Sequence, residues 1–222
     1  MATSPVLAAG VGARHGCNWA LRTASFRMES PAGGRTGFGI AVDRHSDATA
    51  IVDLLAGQEP PSYGELRVLG EDMGTAHGRA AIRRHVGVAR KSARPRPAYR
   101  VRGLIEHAAR QARLPGCDHH LLTAAVLDRL SLTPWADVQL RSLPETIMRR
   151  TRLAAAAVHQ PDLLILDSLL DDLDPAEAAA LAADIRDLGR DTAVVATGSD
   201  ADMLALACDE VLTMADGIIV RT

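Results

Sequence analysis

Gln160-Pro161-Asp162-Leu163-Leu164-Ile165-Leu166-Asp167 sets four consecutive aliphatic residues between a Pro-Asp turn and an aspartate. A short, wholly apolar run of this kind predicts a strand buried on both faces, with Asp167 at its end. Downstream, Pro175 opens a helical pattern over 176–188, since proline suits the first helical turn. Residues 192–196 and 211–214 read as two more core strands, and Gly217-Ile218-Ile219-Val220 as the arm of a closing hairpin. Upstream, 143–158 predicts a helix whose alanine run allows close packing, while 101–114 and 120–130 predict two amphipathic helices after the breaks at Pro95 and Pro97. Further back, Gly64-Glu65-Leu66-Arg67-Val68-Leu69-Gly70 alternates as an exposed strand does. Thr49-Ala50-Ile51-Val52-Asp53-Leu54-Leu55-Ala56 has helical apolar spacing and stops at Gly57, a fitting C-terminal glycine. Before it, Phe38-Gly39-Ile40-Ala41-Val42 is a short buried strand. Strands alternating with helices predict an α/β fold around a mainly parallel sheet.

The composition fits that plan. The 222 residues are 47% hydrophobic and 23% charged, which excludes a disordered tail, a collagen and a disulfide-stapled miniprotein. Aromatic residues make up only 3%, so Ala, Leu, Val and Ile must build the core. Cys17, Cys117 and Cys208 are odd in number and widely separated, which reads as free thiols in a reducing compartment. Residues 1–10 lack a basic flank before their short apolar run, so no secretory signal is expected. No stretch approaches the ~18 apolar residues of a spanning helix, and a cytoplasmic location is expected. The net charge of −2 hides a segregation. Residues 79–102 carry eight arginines and Lys91, the sole lysine, with no acid among them, whereas Asp167, Asp171, Asp172 and Asp174 crowd together downstream. The basic run reads first as a solvated face and linker. As a nucleic-acid surface it is weak, because only Tyr99 offers a stacking ring.

Two further clusters carry little chemistry. Gly33-Gly34-Arg35-Thr36-Gly37-Phe38-Gly39 has the glycines of a phosphate cradle but precedes its strand, so it reads as a hairpin turn. Cys117-Asp118-His119-His120 gathers metal-liking residues at adjacent positions that do not converge on one ion, and reads as the loop between the two middle helices.

A strand, a tight loop, a helix near Thr49 and a distant apolar strand ending in aspartate follow the plan of P-loop NTPases. More narrowly, Leu54-Leu55-Ala56-Gly57 followed by Tyr63-Gly64-Glu65-Leu66-Arg67-Val68-Leu69-Gly70 resembles the nucleotide-binding domain of ABC transporters. So do 160–167, Leu173-Asp174-Pro175 and Cys208-Asp209-Glu210-Val211-Leu212, in order, over about residues 6–220. The resemblance implies one domain over 1–222, an ABC-type P-loop fold with N-terminal antiparallel strands. It divides the chain into an NTPase-like core of 1–91 and 144–222 and an inserted helical subdomain of 92–143.

The residues expected to carry chemistry depart from the family pattern. In the family the phosphate loop reads Gly-x-x-x-x-Gly-Lys-Ser/Thr, and here it corresponds to Val42-Asp43-Arg44-His45-Ser46-Asp47-Ala48-Thr49, followed by Ala50. Both glycines and the lysine are replaced, although the loop's N–H groups point at phosphate only in conformations that side chains disfavour. Asp47 adds a charge that repels phosphate by ~1 kcal/mol in water at ~4 Å and by ~4 kcal/mol at an effective dielectric of about 20. Arg44 offers partial compensation, and Thr49 reads either as a Mg²⁺ hydroxyl ligand or as an ordinary first-turn residue. The signature Leu-Ser-Gly-Gly-Gln corresponds to Leu143-Pro144-Glu145-Thr146-Ile147, where Pro144 removes a donor and Glu145 repels phosphate. The catalytic glutamate aligns with Ser168, the switch histidine with Gly198, the metal-site glutamine with Lys91 and the adenine-stacking aromatic with His15. Asp167 reads equally as an outer Mg²⁺ contact or as a strand-end aspartate. Leu173 and Asp174 resemble the D-loop at the family's dimer interface, and Asp171, Asp172 and Asp174 read as solvated carboxylates without basic partners.

The resemblance therefore implies a non-catalytic cassette subunit of a membrane transporter. It would dock on an integral-membrane permease at the inner face of the plasma membrane and pair with a catalytic homologue or with itself. No hydrolysis, no metal site and no cofactor are expected, and binding of ATP with Mg²⁺ is expected to be weak or absent. The other reading is a soluble scaffold whose arginine-rich surface holds an anionic partner.

Overall fold

A computed structural model describes residues 4–15, 18–28, 37–43, 48–112 and 118–220. The elements are β1 (Val6–His15), β2 (Asn18–Arg27), β3 (Gly37–Val42), α1 (Ala48–Leu55), β4 (Tyr63–Val68), β5 (Glu71–Asp72), α2 (Ala76–Ile82) and β6 (Val86–Arg90). These are followed by α3 (Val101–Gln111), α4 (His119–Arg129), α5 (Glu145–Ala157), β7 (Leu163–Asp167), α6 (Pro175–Leu188), β8 (Ala193–Gly198), α7 (Ala201–Ala205), β9 (Glu210–Ala215) and β10 (Ile218–Val220). The described strands form one sheet in the order β5-β4-β1-β2-β10-β9-β3-β8-β7-β6. From β9 to β6 every neighbouring pair is parallel, while β1, β2, β4 and β5 pair antiparallel. The expected α/β fold is what the chain adopts.

Strands β3, β7 and β8 are buried at every position, as a parallel sheet covered on both faces requires. Alternation along β7 sends Leu164 and Leu166 into the apolar layer beneath α3 to α6, and Leu163 and Ile165 into the layer shared with α1 and the antiparallel strands. On β6, Val86 and Val88 face that second layer too. By the same alternation Arg90 and Asp167 leave their strands on the α1 side.

Several expectations change in detail. The helix expected from Leu143 begins at Glu145, because Pro144 is its N-cap with an extended backbone, and a 3₁₀ turn over Leu140–Ser142 precedes it. Cys117-Asp118-His119-His120 is not all loop. The Asp118 carboxylate caps α4 by accepting from the His120 and Leu121 N–H groups, and both histidines open that helix. In the glycine stretch, 33–36 and the turn expected there lie outside the described residues, but Gly37 and Gly39 belong to β3. A Cβ on Gly37 would fall 2.8 Å from the Ala207 carbonyl, so the glycine allows the chain after α7 to lie against the strand. The basic run is not one solvated face either: it spans α2, β6 and the start of α3, with Arg79 donating to the Met73 carbonyl and Arg90 half-buried.

Candidate functional site

The C-terminal ends of β3, β6, β7 and β8 meet at one edge of the sheet, where open α/β folds bind ligands. Asp43 follows β3, and its carboxylate accepts from the Asp216 N–H at 3.3 Å, which directs it toward the β9–β10 turn. Arg44, His45, Ser46 and Asp47 lie outside the described residues, as does the side chain of His15. Ala48 is the first residue of α1, Thr49 is exposed beside it, and Ala50 is buried.

Asp167 ends β7 almost wholly buried. Arg90 is its direct neighbour in the β6–β7 register, with Nη1 3.6 Å from Asp167 Oδ2. The same guanidinium donates to Asp53 Oδ1 on α1. Burial pushes the Asp167 carboxyl above the usual carboxylate range, the Arg90 charge pulls it back, and Asp53 pushes it up again. Neither Arg90 nor Asp53 stood out as a site residue in the sequence. The signal for them was a charge set at the end or in the middle of an apolar run, Val86–Arg90 and residues 49–56.

The carboxylates expected to lack basic partners are engaged. Lys91 Nζ pairs with Asp172, holding that carboxyl below its usual range, and the Lys91 N–H donates to the Asp167 carbonyl at 3.0 Å. Asp171 Oδ1 accepts from the Ser199 N–H at 3.0 Å. A Cβ at Gly198 would fall 2.8 Å from that oxygen, so any side chain at 198 needs Asp171 to swing aside. Asp174 caps α6 through the Ala176 and Glu177 N–H groups, and Leu173 is half-buried against the core. Ser168 follows Asp167 in the left-handed region, φ 55°, and its N–H donates to the Thr197 carbonyl. Asp167, Ser168, Lys91 and Gly198 therefore stand together with Asp171 and Asp172.

The signature stretch stands apart, at the start of α5. Leu143 and Ile147 pack on the core and Pro144 caps the helix. Glu145 accepts from Arg149 and Arg152, and Thr146 Oγ1 donates to Glu177 Oε1 on α6 at 2.5 Å. Arg149, which sequence reasoning also passed over, is fully buried and donates to the Leu169 and Asp171 carbonyls.

Comparison with known proteins agrees with this geometry. A family model described as "ABC transporter" matches residues 48–170. Methionine import ATP-binding protein MetN 2 of Burkholderia mallei is 27% identical over 189 residues, covering 83% of this chain and 48% of the relative. Nod factor export ATP-binding protein I of Burkholderia thailandensis is 30% identical over 138 residues, covering 62% of this chain and 45% of the relative. The chain thus spans about half the length of these relatives. Among solved structures, cbiO1 from Clostridium perfringens, part of the ABC transporter complex cbiONQ, matches with a TM-score of 0.82 at 18% identity. That match covers 98% of this chain and 87% of that one. No helix among the described residues is long and apolar enough to cross a membrane. With the matched region covering more than half the chain and the fold shared throughout, the chain belongs to the ABC transporter family as a nucleotide-binding domain of the P-loop NTPase superfamily.

Proposed function

We propose that the chain is a non-catalytic cassette subunit of a membrane transporter assembly. It is held at the cytoplasmic face of the plasma membrane through a permease and is paired with a catalytic homologue or a second copy of itself. The observation that carries this reading is Ala48 as the first residue of α1 in an otherwise whole cassette fold. A methyl group stands where a phosphate-loop lysine neutralises the β- and γ-phosphates. Ser168 supports it, because a neutral hydroxyl after Asp167 is a far weaker base toward an attacking water than a carboxylate. Pro144 at the head of α5 removes a backbone donor where the signature receives phosphate. The transporter role draws on the relatives, named as ATP-binding proteins of an import and an export system. The docking region we assign is the helical segment 92–143, where a groove of about 490 Å³ lies along α3 beside Tyr99, Arg102, His107 and Arg110.

Calorimetric titration of the chain with ATP, with and without Mg²⁺, tests the reading. The expected result is no saturable heat up to about 1 mM nucleotide, together with recovery of a multi-span permease alongside the chain from native cells. Affinity in the micromolar range overturns it, as does Mg²⁺-dependent phosphate release that Asp167→Ala abolishes.

A further inference from the structure

Arg90, Asp53 and Asp167 come from three elements, β6, α1 and β7, that meet at one end of the parallel sheet. The β6–β7 register sets Arg90 beside Asp167, and α1 lays Asp53 over the same face. Their side chains are 19%, 18% and 9% exposed, so the one guanidinium is the principal positive charge between two largely desolvated carboxylates. Without it those carboxylates would face each other across a low-dielectric gap, an arrangement that proteins relieve with a proton or a cation.

A divalent ion does not fit this donor set as it stands. Mg²⁺ takes oxygen ligands at about 2.0–2.1 Å in a near-octahedral shell, but the approach to Asp167 Oδ2 is shared with Arg90 Nη1 at 3.6 Å. Lys91, the next residue, adds a second cation committed to Asp172. Among the described residues no three His, Cys, Asp or Glu side chains converge on one point.

We propose that the Arg90 guanidinium is a resident cation that takes the place of a divalent metal. It neutralises Asp53 and Asp167 and fastens α1 to β7 whether or not metal or nucleotide is present. The arrangement gives the non-catalytic reading a physical device and rests on that reading for calling this end of the sheet a former metal site. Its consequence is that the helix following the phosphate loop is held in one place permanently, where a metal-dependent cassette would need its ion.

The test uses Mn²⁺ as the probe, followed by loss of its free-ion paramagnetic resonance signal, with thermal unfolding in the presence and absence of Mg²⁺. The native chain is expected to bind no Mn²⁺ up to about 1 mM, the weak limit of protein oxygen sites, and to keep its Tm when Mg²⁺ is added. In Arg90→Gln the two carboxylates lose their counter-charge. That variant is expected to melt lower, to gain Mn²⁺ affinity by at least about tenfold, and to recover part of its Tm with Mg²⁺. Arg90→Gln combined with Asp53→Asn removes the repulsion and is expected to recover Tm without Mn²⁺ binding, which separates the charge effect from general misfolding. Sub-millimolar Mn²⁺ binding by the native chain overturns the inference, as does a single variant that neither gains Mn²⁺ nor is rescued by Asp53→Asn. Mg²⁺-dependent hydrolysis by a native chain that takes up no Mn²⁺ at this site overturns the non-catalytic reading alone.

Discussion

His159 closes the turn after α5, where burial holds its imidazole below the ordinary value near 6.5. A hydrogen bond to the Val86 backbone opposes the shift, and the neighbouring His85 adds to it. The folded chain therefore binds the His159 proton less readily than the unfolded chain. The linked stability is complete above about 6.5 and is lost as pH falls through the lower, folded value. The carboxyl held down by Lys91, Asp172, and the one held down by Arg129, Asp187, lose their contributions only below the ordinary carboxylate value near 3.8. Between neutrality and the ordinary carboxylate value His159 therefore lowers stability on acidification, while Asp167 and Asp184, whose carboxyls burial raises, act in the opposite direction. Urea unfolding from neutrality to about pH 5 is expected to show the native chain losing stability on acidification relative to His159→Gln. Equal slopes would remove His159 from the account. Nothing in the sequence marked this residue, because its burial comes from strand β6, more than seventy positions earlier in the chain.

Elements are joined at this edge of the sheet by single cations reaching across loops. Arg149 on α5, 2% exposed, spans from Glu145 in its own helix to the carbonyls of Leu169 and Asp171 after β7. Asp171 in turn holds the loop after β8. Arg149→Met keeps most of the apolar stem but strands the Leu169 carbonyl in a dry environment and frees the β7–α6 loop. A loss of about 3 kcal/mol is expected, which at this chain length lowers Tm by roughly 6–12 °C. Thermal unfolding measures it, and a shift within a degree would mean that the loop is held by its packing alone. Elements whose evidence is local were legible in the sequence. The apolar run of β7, the spacing of α1 with Gly57 after it, and Pro175 at the head of α6 each carry their signal within a few residues. Strand β6 was not legible, because its alternation is three residues deep and sits inside an arginine-rich stretch, where a charge count over twenty-four positions reads as solvent. The partners of the acidic cluster were hidden for a related reason: Lys91 and Asp172 are 81 positions apart, and no spacing rule joins them.

At the scale of the whole molecule, the two apolar layers on either side of the sheet are continuous from α3 through α6 on one face and from α1 to the antiparallel strands on the other. A cassette that binds MgATP in its folded state alone gains RT ln(1 + [L]/Kd) from it, about 2.7 kcal/mol at a hundred times Kd. For a domain of this size that raises Tm by roughly 5–11 °C. If the contacts of Arg90, Lys91 and Arg149 already fasten this edge of the sheet, the gain is absent. Thermal unfolding in about 5 mM MgATP is then expected to stay within about 1 °C of the nucleotide-free chain. A rise of several degrees would mean that a site of about 50 μM or tighter has been rebuilt from residues such as Arg44 and Thr49. Repeating the measurement with Asp167→Asn separates the two sources of such a rise: a gain that disappears runs through the metal end of the sheet, and a gain that persists comes from the loop ahead of α1.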